Sequence, residues 1–235
     1  MSQLNKGHYV WKLPVRLYHW INVYAVTILF LTGLYIASPF ISSPIGEASW
    51  YKGMAWFRYI HFSSAFVFIA NFLFRLYWAL NGDDQYAKFG GFKPWLPKWW
   101  GQPFKEQMAS YLFIKKEEPN YSGHNPVAAL SYFLFVFCGS FFMIITGLAM
   151  YGENNPGGFM DVLFGWLIPF FGSSAQLHNI HHLMAWVFPV FFILHFYAIL
   201  RHDFVEHTSV MSSMVTGYKR NVKDSTDLIN KYSDQ

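Results

Sequence analysis

His181 and His195 stand fourteen residues apart in LHNIHHLMAWVFPVFFILHFYAIL (177–200), an almost wholly apolar stretch. At about 100° per residue this spacing returns a helix to within roughly 40° of the same face, about 21 Å further along its axis. Two imidazoles on one face and at two depths could each serve one haem. Bis-imidazole ligation fills both axial positions of the iron, so such a haem carries electrons and offers no open position to a substrate. Ionisable side chains inside an apolar span are costly, and they mark function by default.

The elements that must hold these histidines are four apolar runs, about 15–38, 57–80, 126–150 and 177–201. Each reaches the roughly 20 residues that a hydrocarbon core of about 30 Å demands of a helix. The 235 residues are 54% hydrophobic and only 13% charged, about half the charge of a soluble domain. The expected fold is therefore all-α: one membrane domain over 1–235, an integral four-helix bundle. Residues 81–125, rich in Pro, Gly, Trp and Lys, read as a loop along the membrane surface. Residues 158–172 (GFMDVLFGWLIPFFG) are apolar but too short to span and contain Pro169, so an interfacial or re-entrant segment is expected. The tail from about 208 is polar. FLTGLYI in the first span is faintly echoed by IITGLAM in the third.

Lysine and arginine set the orientation. Residues 1–16, 81–125 and the tail from 201 together hold fourteen of the seventeen, against Lys52 and Arg58 on the other side and Arg75 within a span, while 151–176 holds none. The positive-inside rule puts the fourteen-residue side, and both termini, in the cytoplasm. The pI near 9.0 thus reflects topology and gives no reason to expect nucleic acid as a partner. The polar, basic start and the long run behind it do not read as a cleavable signal, so the first span is expected to remain as an anchor. Cys138 is the sole cysteine. It excludes an intrachain disulfide, a CxxCH haem attachment, and an iron–sulfur cluster held by cysteines of this chain alone.

With that topology the histidines fall into two pairs at matched depths. His61 and His181 lie near the outer surface, His19 and His195 near the cytoplasmic one. His182 is thirteen residues before His195 and about 140° away around the helix, so His181 is the better partner for that face, although Pro189 between them can bend the helix. Gly33 is fourteen residues after His19 and Gly147 reaches a similar depth, where a missing side chain would admit a flat macrocycle; ordinary small-residue helix packing is the competing explanation. Arg75, fourteen after His61, and Arg58, one turn before it, could pair with haem propionates or snorkel to the interface. On the residues alone three readings stay open: two-haem ligation, a histidine metal site or proton relay, and structural polar contacts. The spans hold no acidic residue, which weighs against a metal or proton transporter.

RLYHWINVYAVTILFLTG (16–33) and HNIHHLMAWVFPVFFILH (178–195) resemble the two signature segments of the b-type cytochrome subunit of membrane-bound nickel–iron uptake hydrogenases, and RYIHFSSAFVF (58–68) resembles that family's second-span histidine segment. The likeness runs from about residue 9 to 220. It implies two haem b groups, with His61 and His181 on the outer iron and His19 and His195 on the cytoplasmic iron. It also implies an electron-transfer subunit of a hydrogen:quinone oxidoreductase in the bacterial inner membrane. Its partners would be an iron–sulfur small subunit with a membrane-anchoring helix, through it the hydrogen-cleaving large subunit, and menaquinone or ubiquinone. The cytochrome subunits of formate dehydrogenases share the four-helix, two-haem plan and are the nearest alternative. A quinone site beside the cytoplasmic haem would draw on Asn22, Tyr197, His202 and Asp203.

Overall fold

The structure, a computed structural model, describes residues 8–40, 53–84, 86–87, 101–115, 124–205 and 209–219. Lys52, the Trp- and Lys-rich stretch 88–100 and the tail beyond 219, all used in the topology argument, lie outside the described residues. In chain order come β1 (His8–Tyr9), α1 (Leu13–Ala37), α2 (Gly53–Asn81), α3 (Gln102–Tyr111) and α4 (Pro126–Ser131). A π-helical segment (Tyr132–Cys138) then leads into α5 (Gly139–Gly152). After it follow α6 (Phe159–Phe164), α7 (Leu167–Phe170), α8 (Ser174–Ala185), α9 (Val187–Val205), α10 (Val210–Thr216) and β2 (Tyr218–Lys219).

Four helical stretches are long and apolar enough to cross a membrane: Leu13–Ala37, Gly53–Asn81, Pro126–Gly152 and Ser174–Phe204. Each overlaps one of the four runs expected from the sequence. None of the most apolar window of the fourth is buried inside the chain, and only 17% of those of the first two. Apolar helices with so little internal burial need an apolar solvent around them.

Two of these stretches are irregular. The third is started by Asn125, whose side chain accepts from Ala128 N at 2.8 Å, with Pro126 at the first helical position where its missing N–H costs nothing. It then loosens into π-helix from Tyr132 to Cys138, a conformation concentrated at functional sites. The fourth breaks at Trp186 between α8 and α9. Pro189 has no N–H to return to the carbonyl of Ala185, and Trp186 N bonds the nearer Leu183 O at 3.2 Å instead. The bend anticipated at Pro189 therefore falls one turn earlier.

The chain divides into two compact units, and both draw a stretch from each of the four spans. The first comprises Met1–His19, Phe74–Val136 and Phe191–Gln235. In it β1 pairs antiparallel with β2, His8 opposite Lys219 and Tyr9 opposite Tyr218, so the segments at the two ends of the chain lie side by side. Val10, Trp11, Val15 and Ala87 form its core, flanked by Trp78, Tyr86 and Met214. The loop expected over 81–125 holds the helix α3, and the polar tail folds back as α10 and β2.

The second unit comprises Trp20–Leu73 and Phe137–Val190. Ala149, Leu167 and Leu177 are its buried core, joined by Ile145, Met150, Phe164, Ile168 and Phe171. The apolar segment expected over 158–172 is the pair of short helices α6 and α7. Leu167 is buried, whereas Phe159, Val162, Leu163, Trp166 and Phe170 face outward, as an interfacial segment requires.

Candidate haem centres

In the first unit the imidazoles of His19, on α1, and His195, on α9, face each other with ring centroids 6.5 Å apart and planes inclined by 47°. Phe191, one turn before His195, stacks on its ring at 5.5 Å and 16°, which limits how the ring can turn. The centroid separation is close to what two imidazole–metal bonds of about 2 Å each would span between facing rings.

Arg75, on α2, is held inside this unit and does not reach out to an interface. Its Nε donates to Tyr132 Oη at 3.2 Å and Nη2 to the Ala87 carbonyl at 3.0 Å. The guanidinium carbon lies 5.8 Å from the ring centroids of both Tyr18 and Tyr132. Nη1 is buried with no hydrogen-bond partner among the described residues. A buried guanidinium with donors to spare suits a carboxylate ligand such as a propionate.

His124 packs against Trp11 and Tyr132, ring centroids 5.1 and 5.6 Å away. Burial, helped by the positive charges of Arg75 and Lys219 and by His195, pushes its pKa down to about 4, so it stays neutral at physiological pH. His124 lies just before the third span, where a histidine would be expected to face water; here its ring is covered by Trp11.

The proposed quinone residues divide. Tyr197 Oη donates to the Tyr111 carbonyl at 2.8 Å and His202 Nε2 lies 3.5 Å from Tyr111 Oη, which also accepts from Asn125 Nδ2 at 2.7 Å. Arg201 donates to Ser110 Oγ at 2.8 Å beside them. Asp203 accepts from the backbone N–H groups of Val210 and Met211, so it fastens the start of α10. Asn22 belongs to the second unit.

In the second unit His61 and His181 each meet a threonine. His61 Nδ1, on α2, is 2.8 Å from Thr32 Oγ1 on α1, and His181 Nδ1, on α8, is 2.8 Å from Thr146 Oγ1 on α5. The residue after each threonine is a glycine that lies against the ring. A Cβ on Gly33 would come 3.3 Å from His61 Cε1, and one on Gly147 would come 3.4 Å from His181 Cε1. Gly33 and Gly147, where the sequence suggested room for the macrocycle, thus lie against the imidazoles. Arg58 is exposed on α2. His178 is exposed and its Nδ1 reaches back to the Ser174 carbonyl at 2.9 Å, so it is spent within its own helix.

Each unit thus holds one of the two candidate ligand pairs, with threonines against the rings in one unit and a guanidinium with a buried, unpartnered Nη1 in the other. This donor set fits a b-type haem, which needs two axial nitrogens and brings its own four equatorial ones. Among the described residues no group of three or more His, Cys, Asp or Glu side chains is placed to hold a bare metal ion. Thr32 and Thr146 were missed as site residues in the sequence, and the signal that marked them was the repeated Thr-Gly.

The profile of the prokaryotic cytochrome b561 family matches residues 10–217. The chain is 40% identical over 215 residues to the probable Ni/Fe-hydrogenase B-type cytochrome subunit of Cupriavidus necator, covering 91% of this chain and 87% of that protein. It is 40% identical over 212 residues to the Rhodobacter capsulatus protein of the same name, covering 90% and 80%. The probable Ni/Fe-hydrogenase 1 B-type cytochrome subunit of Escherichia coli K12 is 37% identical over 217 residues, 91% of each chain.

Proposed function

The chain belongs to the prokaryotic cytochrome b561 family, and from that membership we propose that it is the two-haem subunit that carries electrons from a nickel–iron hydrogenase across the inner membrane to quinone. The partner on the outer face is the iron–sulfur small subunit, with the large subunit cleaving hydrogen beyond it. The observation that carries the reading is that, of the histidines on the four spans, His19 and His195 fall in one compact unit with their rings facing each other, and His61 and His181 fall in the other, each against a threonine.

In this reading His61 and His181 bind the outer haem and His19 and His195 the cytoplasmic one. Haem b, when bound, supplies a one-electron carrier whose potential is set by its axial ligands and surroundings. The chain does the rest. The histidines saturate the iron and so exclude oxygen and substrate, the apolar spans keep water and stray protons away, and Arg75 offers a fixed positive charge to a propionate. Tyr197 and His202, gathered around Tyr111 on the cytoplasmic side, are polar groups suited to a quinone headgroup. Both termini lie in the cytoplasm, in keeping with the lysine and arginine distribution and with the pairing of β1 and β2.

Purified with its partner subunits, the chain should give a reduced b-type spectrum and a pyridine haemochrome ratio near two haems per chain. Membranes lacking it should lose hydrogen-dependent quinone reduction while keeping hydrogen-dependent reduction of a soluble dye. A haem-free chain, or quinone reduction undiminished without it, would sink the proposal.

A further inference from the structure

We propose that Thr32 and Thr146 are positioning residues that fix the tautomer and orientation of the outer histidines and thereby set that haem's potential; the inference rests on the reading of His61 and His181 as its ligands. A threonine hydroxyl has one proton to give. Thr146 Oγ1 directs it to the Phe142 carbonyl at 2.8 Å, with Met143 O at 3.3 Å. Thr32 Oγ1 directs it to the Ile28 carbonyl at 2.6 Å, with Leu29 O at 3.2 Å. Both threonines are buried, Thr146 wholly, so these carbonyls are the partners at hand. With the proton committed, each oxygen meets the imidazole as an acceptor, and the ring must donate Nδ1–H. The lone pair is then on Nε2, the nitrogen that coordination requires.

The following glycine completes the device. A side chain at Gly33 or Gly147 would stand 3.3 or 3.4 Å from Cε1, the carbon between the two nitrogens. Hydroxyl and glycine together therefore hold the ring on two sides. The same four-atom arrangement occurs twice, on α1 for α2 and on α5 for α8, which is the structural content of the echo between FLTGLYI and IITGLAM. Its electronic consequence follows from the bond's direction. An imidazole donating from Nδ1 is a more basic ligand, and a more basic ligand favours the oxidised iron, lowering the potential.

The test uses the hydrogenase–cytochrome complex carrying Thr146→Val, which keeps the shape and removes the hydroxyl, and Thr146→Ser, which keeps the hydroxyl. Haem content is read by pyridine haemochrome, and potentials by redox titration with low-temperature EPR of the low-spin ferric signals. The valine variant is expected to move one haem to a more positive potential with an altered EPR signal, or to lose that haem, and the serine variant to restore wild-type behaviour in both. Thr32→Val is expected to move the same haem in the same direction. Full haem content at an unchanged or more negative potential in Thr146→Val overturns the inference, as does a serine variant as altered as the valine one. A wild-type complex without two haems would instead overturn the ligation reading beneath it.

Discussion

Thr146 Oγ1 lies 2.8 Å from Nδ1 of His181, and this bond singles out one of two adjacent histidines. His182, the next residue, is turned about 100° away around the helix. The helical-face arithmetic of the sequence favoured His181 too, but it assumed a continuous helix, and the break at Trp186 removes that premise. The threonine and Gly147 give His181 a seat that does not depend on the register to His195. His181→Ala should therefore cost about half of the bound haem, and His182→Ala should leave the haem-to-protein ratio unchanged. The pyridine haemochrome assay on both variants decides it, and the reverse result would place the iron on His182.

Gly33 and Gly147 differ by a tenth of an ångström in a way that predicts different tolerances. An alanine Cβ at 147 would sit 3.4 Å from His181, an ordinary contact, whereas at 33 it would sit 3.3 Å from His61 and force the ring to give. Gly147→Ala should keep the wild-type spectrum. Gly33→Ala should shift the EPR signal of the outer haem, and Gly33→Val, with two more carbons and no room to place them, should lose that haem.

Much of this was legible in the sequence because membrane spans obey few rules. Length and apolarity gave the four spans, and the cost of imidazole in lipid pointed to His19, His61, His181 and His195. The Thr-Gly echo was visible, but its meaning was not, since which helix faces which cannot be read from one strand of text. The π-helical turn at Tyr132 left no periodic signature in an all-apolar run. Arg75 could be a snorkelling residue or an interior one, and only the packing of Tyr18, Tyr132 and Ala87 around it distinguishes the two. The bonds from Asp203 to the backbone of Val210 and Met211 and the cover of Trp11 over His124 are tertiary facts of the same kind.

His124 gives a pH dependence whose sign can be worked out. Its folded pKa, about 4, lies below the model-peptide value of 6.5, so between those values the unfolded chain binds the additional proton. Its contribution to stability is complete above about pH 6.5 and is lost as the pH falls toward 4. Thermal unfolding in detergent should therefore show the midpoint falling over this window, and His124→Gln, which has no titrating group, should flatten that part of the profile. An equally steep profile in the variant would assign the acid sensitivity to other groups.

Arg75 brings a permanent charge and a planar fork to the unit that holds His19 and His195, and two substitutions separate these properties. A positive charge near a haem stabilises the reduced form, which carries one positive charge fewer. Removing a unit charge within about 10 Å at an effective dielectric constant of about 20 is worth roughly 1–2 kcal/mol. Arg75→Gln should accordingly move one haem to a more negative potential, leave the other in place, and slow quinone reduction without changing dye reduction by the hydrogenase. Arg75→Lys keeps the charge but cannot hold Tyr132, the Ala87 carbonyl and a carboxylate at once, so it should preserve the potential better than glutamine does while weakening haem retention. Redox titration of the two variants against the wild type tests both halves. If glutamine leaves both potentials where they were, Arg75 is a structural tie between α2 and Tyr132, and its spare Nη1 faces something other than a propionate.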